Sequence, residues 1–143
     1  TPEADSVTNL MEFGPALGRR FRALKLWMTL RYFGQTGIAG VLREHVRLAR
    51  LFASWVEQED GWEVVAPVPF STVCFRYRPG GMGEEEVDRI NQRILERVNA
   101  TGDVFLSHTR LRGRFVMRLA IGNIRTRERH VARAWEVLRA SVP

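Results

Sequence analysis

Apolar residues recur at three- and four-residue spacing in four segments of the chain, which is the pattern of amphipathic helices. The first predicted helix begins near Gly14-Pro15 and runs to about Phe33, and the second fits Ile38 to about Gln58. The third fits Gly83 to about Asn99, and the last has Thr126 as its predicted N-cap. The first helix is apolar over most of its circumference, which is typical of a helix covered on more than one side.

Four shorter segments carry β-branched and aromatic residues between glycine or proline positions, and these predict strands. They span Trp62 to Ala66, Ser71 to Arg78, Val104 to Thr109, and Arg114 to Ile121. The last two are expected to form a hairpin through Leu111-Arg112-Gly113, of the class with three to five loop residues. The order α-α-β-β-α-β-β-α predicts an α+β fold, with a small, mostly antiparallel sheet and helices packed chiefly on one face.

Composition is that of a folded domain with one core. The chain has 143 residues, of which 45% are hydrophobic and 27% charged. Its single cysteine, Cys74, cannot form an internal disulfide, and the sequence shows neither a secretory signal nor a membrane-spanning stretch. We therefore expect no membrane association and a cytoplasmic location. Residues 1–13 lack periodicity and are expected to form a mobile arm.

The net charge of +6 permits attraction to polyanions. Arginine supplies every basic residue among the 22 lysines and arginines except Lys25. Most arginines lie close to glutamates along the predicted helices, which favours a solvated, salt-bridged surface over a nucleic-acid interface.

An arginine in the middle of a predicted strand is the main candidate for chemistry. Alternation along Arg114 to Ile121 places Arg118 on the face opposite the strand's larger apolar residues. One interpretation is an ion pair with a carboxylate such as Glu63 or Asp103, or simple exposure on a wet face of the sheet. The other is a bidentate clamp on a substrate carboxylate, which suits the planar guanidinium.

Other reactive side chains have simpler explanations. His45, His108 and His130 are far apart in sequence and lack a second ligand type at metal spacing, so no metal site is predicted. Cys74 is expected to be a small buried thiol in a strand. The run Glu84-Glu85-Glu86 favours a charge cluster at the start of a helix over a pair of general acids.

Several runs of the chain resemble one enzyme family in the same order. The runs are Gly18-Arg19-Arg20-Phe21-Arg22-Ala23-Leu24-Lys25-Leu26-Trp27, Arg31-Tyr32-Phe33-Gly34, Gly37-Ile38, Val73-Cys74-Phe75-Arg76, Leu111 to Ile121, and Arg125-Thr126 through Ala134-Trp135-Glu136. Together they resemble the C-terminal part of group II pyridoxal-phosphate-dependent amino-acid decarboxylases, the family of aromatic-L-amino-acid, tyrosine, histidine and 2,4-diaminobutyrate decarboxylases.

The resemblance implies a division of the chain and a role for one residue. Residues 14–36 would be a helix linking to a missing N-terminal large domain, and residues 37–143 would be the C-terminal small domain of a type I pyridoxal-phosphate fold. The family forms homodimers and converts an L-amino acid to its amine with pyridoxal phosphate as cofactor. Arg118 falls in the strand whose arginine contacts the substrate carboxylate in glutamate-decarboxylase relatives.

The departures from the family pattern concern the cofactor. The family's cofactor lysine follows a histidine, whereas Lys25 follows Leu24 in an arginine-rich run. No cofactor-binding or catalytic residue is therefore assigned in this chain, and we expect it to be inactive alone. The alternative is an independent basic α+β module that binds RNA or a small anionic effector.

Overall fold

The computed structural model describes residues 20–143. The described residues divide into two compact units, residues 20–38 and 39–143. The helices and strands are α1 (Arg22–Gln58), β1 (Trp62–Val64), β2 (Thr72–Tyr77), α2 (Glu84–Ala100), β3 (Ser107–Leu111), β4 (Arg114–Ala120) and α3 (Glu128–Ala140). This order confirms the predicted alternation of helices and paired strands.

The first two predicted helices form one helical run that is interrupted at Gly34. The backbone there has φ 65° and ψ 173°, a conformation that is accessible essentially to glycine alone. The run begins at Arg22, because Arg20 and Phe21 are not helical. The predicted helix start near Gly14-Pro15 and the predicted arm over residues 1–13 lie outside the described residues.

Within the first unit, the helix exposes a series of large apolar side chains. Trp27 is 57% exposed and Tyr32 is 84% exposed. The guanidinium of Arg31 lies 5.8 Å from the Trp27 ring, and Tyr32 meets Phe33 edge to face at 4.8 Å. The exposed apolar set comprises Phe21, Leu24, Leu26, Trp27, Met28, Leu30 and Tyr32.

The second unit is built on a four-stranded antiparallel sheet in the order β1-β2-β4-β3. Phe75 of β2 lies opposite Met117 of β4, and both are fully buried. Phe52 of α1 packs edge to face on Phe75 with 5.0 Å between ring centres, and Trp135 of α3 packs on Phe52 at 5.7 Å. The helices therefore cover this face of the sheet, which confirms the predicted fold class.

The β3–β4 hairpin is tighter than predicted. Leu111 pairs directly with Arg114, so the loop is only Arg112 and Gly113, with φ values of 52° and 81°. Positive φ at both central residues is the signature of a type I′ turn, whose twist matches that of the flanking strands. The predicted loop of three or more residues was wrong because β3 continues to Leu111, and β3 begins at Ser107 rather than Val104.

The predicted N-cap of the last helix was also wrong. Helix α3 begins at Glu128, with Arg127 as its N-cap. The N–H of Thr126 donates instead to the carbonyl of Asn123 at 2.9 Å, which closes a turn before the helix. The ring Nδ1 of His130 accepts the N–H of Arg127 at 3.1 Å, so a histidine takes the reciprocal part that an acidic residue usually takes in a capping box.

Side chains of α2 replace strand pairing where β2 and β4 end. The Oδ1 atom of buried Asn91 accepts the N–H of Tyr77, and its Nδ2 donates to the Tyr77 carbonyl, both at 2.7 Å. The same Nδ2 also donates to Val87 O at 2.8 Å. Asp88 accepts the N–H of Phe115 at 2.9 Å. Helix α2 thus satisfies the backbone of both central strands at this end of the sheet.

Replacing Asn91 with alanine should destabilise the second unit strongly. The change leaves the N–H and C=O of Tyr77 without a partner, and we expect a loss of about 2–4 kcal/mol, since a buried unsatisfied polar group costs about 1–3 kcal/mol. Urea unfolding followed by circular dichroism would measure it.

Asn99→Ala is the matched control on the same helix. Asn99 makes the same two-point contact with Leu106, at 2.8 and 3.0 Å, but is only half-buried. Water can replace its bonds, so we expect a loss of only about 1 kcal/mol. Equal losses for the two variants would contradict the role assigned to Asn91.

Candidate carboxylate-binding face

The face of the sheet opposite the helices carries a mixed set of small, polar and cationic residues. We refer to it as the open face. Residues directly opposite each other in neighbouring strands point to the same side, so the strand register defines its members. They are Glu63, Thr72, Cys74, Arg76, Ser107, Thr109, Leu111, Arg114, Val116, Arg118 and Ala120.

Arg118 lies in the middle of the open face. It is half-buried on β4, opposite Cys74 of β2 on one side and Ser107 of β3 on the other. The ion pairs within residues 20–143 do not include Arg118. Its guanidinium is therefore available to an anionic ligand as far as the described residues go.

The carboxylates that sequence reasoning offered to Arg118 have other partners. Glu63 accepts a hydrogen bond from Arg76 Nε, and Asp103 lies 2.8 Å from Arg133 Nη2. The proposed ion pairs of Arg118 with Glu63 and Asp103 were therefore wrong. Exposure on the sheet face and ligand binding are the two interpretations that the geometry allows.

A second mid-strand arginine, Arg76, is fully buried and fully paired. Besides the bond to Glu63, its Nη1 donates to Glu84 Oε2 at 2.9 Å, and its Nη2 donates to Glu84 Oε1 at 3.3 Å. Burial lowers the pKa of Arg76, but the hydrogen bonds to Glu84 and Glu63 outweigh it, so the pKa is raised. Arg76 is thus a permanently charged structural group whose three nitrogens all donate to carboxylates.

Glu84 is the centre of this charge network. It is the first residue of α2, and it also contacts Arg78 at 3.1 Å and Arg114 at 3.5 Å. The hydrogen bond from Arg76 lowers the pKa of the Glu84 carboxyl, with further support from Arg114 and Arg78. The interpretation of residues 84–86 as a helix-start cluster did not include this role. The alternation along β2 could have indicated this network, because it places Arg76 on the same face as Arg118.

Of the two mid-strand arginines, Arg76 is already paired, so Arg118 is the one that can bind a carboxylate. Its directly opposite neighbours across the strands, Cys74 and Ser107, have small side chains. The planar fork of arginine binds the two oxygens of a carboxylate with defined orientation.

Cys74 differs from its prediction. It is partly exposed and not buried, because the alternation that buries Val73 and Phe75 turns Cys74 to the open face. The flanking apolar residues suggested a buried thiol, but they belong to the opposite side of the sheet.

The histidines are held by local contacts. Buried His45 lies 3.1 Å from the Asn123 carbonyl through Nε2, and His108 stacks on Phe115 with 4.9 Å between ring centres. Across residues 20–143, no cluster of three histidine, cysteine or acidic residues has the arrangement of a metal site. No helix in this part of the chain combines the length and hydropathy that a membrane span requires.

The described residues do not fit a pyridoxal phosphate site. The chain's one lysine, Lys25, is exposed on α1. The cavities found in residues 20–143 are lined by other residues. A Schiff-base lysine needs an enclosed site that also holds the phosphate, and the cavities described within residues 20–143 do not form one at Lys25.

Comparison with known proteins assigns the fold to a class and the chain to a family. A solved structure of Oryza sativa TDC with PLP and tryptamine matches 94% of this chain with a TM-score of 0.80 and 40% identity. The fold is thus the α+β arrangement found within such pyridoxal-phosphate proteins. The family model described as "Pyridoxal-dependent decarboxylase conserved domain" matches residues 2–78 of the 143. The chain belongs to the pyridoxal-dependent decarboxylase family.

The relatives are much longer than this chain. Tyrosine decarboxylase 2 of Arabidopsis thaliana is 43% identical over 134 residues, which are 94% of this chain and 25% of the relative. Phenylacetaldehyde synthase of the same plant is 40% identical over 136 residues, 95% of this chain and 28% of the relative. The chain therefore spans roughly a quarter of the length of the curated relatives it matches.

The Arg76–Glu84 network predicts acid sensitivity. Because the pKa of Glu84 in the folded chain lies below its ordinary value of 4.5, ionised Glu84 stabilises the fold above that pH. The contribution is lost as the pH falls through the lowered pKa. We expect Glu84→Gln to be less stable than the unmodified chain near neutral pH and to lose less stability on acidification. Urea unfolding between pH 7 and pH 3 would measure both slopes.

Glu85→Gln is the control for that experiment. Glu85 is the next residue of α2, and no ion pair of residues 20–143 includes it. The stability of Glu85→Gln should depend on pH in the same way as that of the unmodified chain. A Glu84→Gln slope equal to that of the unmodified chain would count against the network as the cause.

Proposed function

We propose that this chain is the C-terminal part of a longer pyridoxal-phosphate-dependent carboxy-lyase that decarboxylates an L-amino acid to its amine. The family match and the names of the relatives support this reaction class. The observation that carries the site assignment is the guanidinium of Arg118, which lies in the centre of the open face without a carboxylate partner among the described residues.

Arg118 would bind the carboxylate of the amino acid and orient it. Its position on the central strand β4, between two hydrogen-bonded neighbours, limits backbone movement at this residue. The cofactor and the groups that break the carbon–carbon bond would belong to residues outside this chain.

The rest of the longer protein would cover the exposed apolar set of the first unit. Seven large apolar side chains between Phe21 and Tyr32 are at least 42% exposed, which is more than a soluble helix normally leaves in water. Under the proposed function, the missing N-terminal large domain would pack against these apolar side chains. Homodimer formation and a cytoplasmic location stay predictions.

Two reaction outcomes occur among the names of the relatives. Most are decarboxylases, while one is phenylacetaldehyde synthase and a solved neighbour is 4-hydroxyphenylacetaldehyde synthase of Rhodiola rosea. The assay of the longer protein should therefore measure both amine and aldehyde. The alternative of RNA binding has no support from the comparisons, and β4 presents no aromatic ring on the open face.

Arg118→Gln tests the proposed role in the longer protein that contains this chain. Loss of a charged, two-point contact costs about 1.5–3 kcal/mol for each of its two hydrogen bonds, so we expect kcat/KM for aromatic L-amino acids to fall about 10²- to 10⁴-fold. Arg118→Lys keeps the positive charge but loses the planar two-point geometry. Its kcat/KM should therefore lie between those of Arg118→Gln and the unmodified protein.

Arg110→Gln is the control. Arg110 belongs to the neighbouring strand β3 and pairs with Asp88 on the helix-covered side at 3.2 Å. Its variant should keep the kcat/KM of the unmodified protein. Unchanged kcat/KM in Arg118→Gln would show that Arg118 does not bind substrate, and absence of both amine and aldehyde from all tested amino acids would refute the reaction class.

A further inference from the structure

A small cavity lies beside the β3–β4 hairpin, two residues along β4 from Arg118. Its volume is about 280 Å³, close to the lower end of the range for small-molecule sites. Val116 forms part of its wall and is almost fully buried. The apolar part of the lining is made by Val65, Ala66, Pro67, Leu111 and Val116.

Three arginines complete the lining of the cavity, and they differ in their contacts with carboxylates. Arg76 is hydrogen-bonded to Glu63 and Glu84, and Arg114 lies 3.5 Å from Glu84. Arg112 takes part in no ion pair of residues 20–143. The cavity therefore combines an apolar wall with the guanidinium of Arg112, which is unpaired among residues 20–143, and that of Arg114, which has one long contact with Glu84.

The backbone at Arg112 gives an independent reason to assign a role to this side chain. Its φ of 52° makes it the one non-glycine residue with positive φ in the described part of the chain. Glycine, asparagine or aspartate would fit this turn position at lower cost, so an arginine there carries strain without a structural return. Strained residues of this kind concentrate at ligand sites.

We propose that this cavity binds a small organic monocarboxylate with a short apolar body. The guanidinium of Arg112 would pair with the carboxylate, and the apolar wall would contact the body. The volume suits a small ligand, and the planar guanidinium of Arg112 would bind the two oxygens of one carboxylate. This site is separate from the amino-acid site proposed at Arg118.

Titration of the ¹⁵N-labelled 143-residue chain with benzoate tests the proposal. We expect saturable shifts of the backbone amides of Ala66, Gly113 and Val116. Arg112→Gly should weaken benzoate binding at least fivefold while the thermal midpoint stays equal or rises, because glycine relieves the positive φ. Arg118→Gln should bind benzoate as the unmodified chain does.

Two further probes separate the parts of the site. Benzyl alcohol lacks the charge and inorganic phosphate lacks the apolar body, so each should bind at least fivefold more weakly than benzoate. Unchanged affinity in Arg112→Gly, equal affinity for phosphate, or shifts centred on Arg118 would each overturn the proposal. Because Arg118→Gln is assayed for amino-acid turnover separately, failure here leaves the proposed function standing.

Discussion

The buried guanidinium of Arg76 is the constraint on which the open face depends. A buried charge is tolerated only when paired and hydrogen-bonded, and Arg76 meets this requirement through Glu63 of β1 and Glu84 of α2. One side chain thereby ties two strands and the start of a helix together. Removing Glu84 would leave the buried guanidinium with Glu63 as its one carboxylate partner among the described residues.

That pairing also decides which positive charge is available for binding. Arg76 and Arg118 are both mid-strand arginines on the same face, but Glu63 and Glu84 neutralise only the first. Asn91 and Asp88 of α2 hold the ends of β2 and β4 through backbone bonds, so the strand that carries Arg118 is anchored by the same helix that supplies Glu84. One small sheet thus carries both an arginine that stabilises the fold, Arg76, and one that is available to a ligand, Arg118.

Much of the architecture followed from periodicity, while contacts between distant residues did not. Alternation placed Arg118 on the face away from the helices, and Gly34 marked the interruption between the first two helices. The same alternation should have placed Cys74 on the open face, but flanking apolar residues obscured it. The N-cap at Arg127 depends on the ring of His130, a pairing that residue preferences at caps do not predict.

The sequence by itself determined the fold class, the strand order along the chain, the family resemblance and the face that carries Arg118, because these depend on local periodicity and on residue identity. Tertiary structure alone decided which carboxylate pairs with which arginine, since Glu63 and Glu84 reach Arg76 only through strand register and the docking of α2. It also created the cavity at Arg112, whose walls come from two separate parts of the chain, residues 65–76 and 111–116.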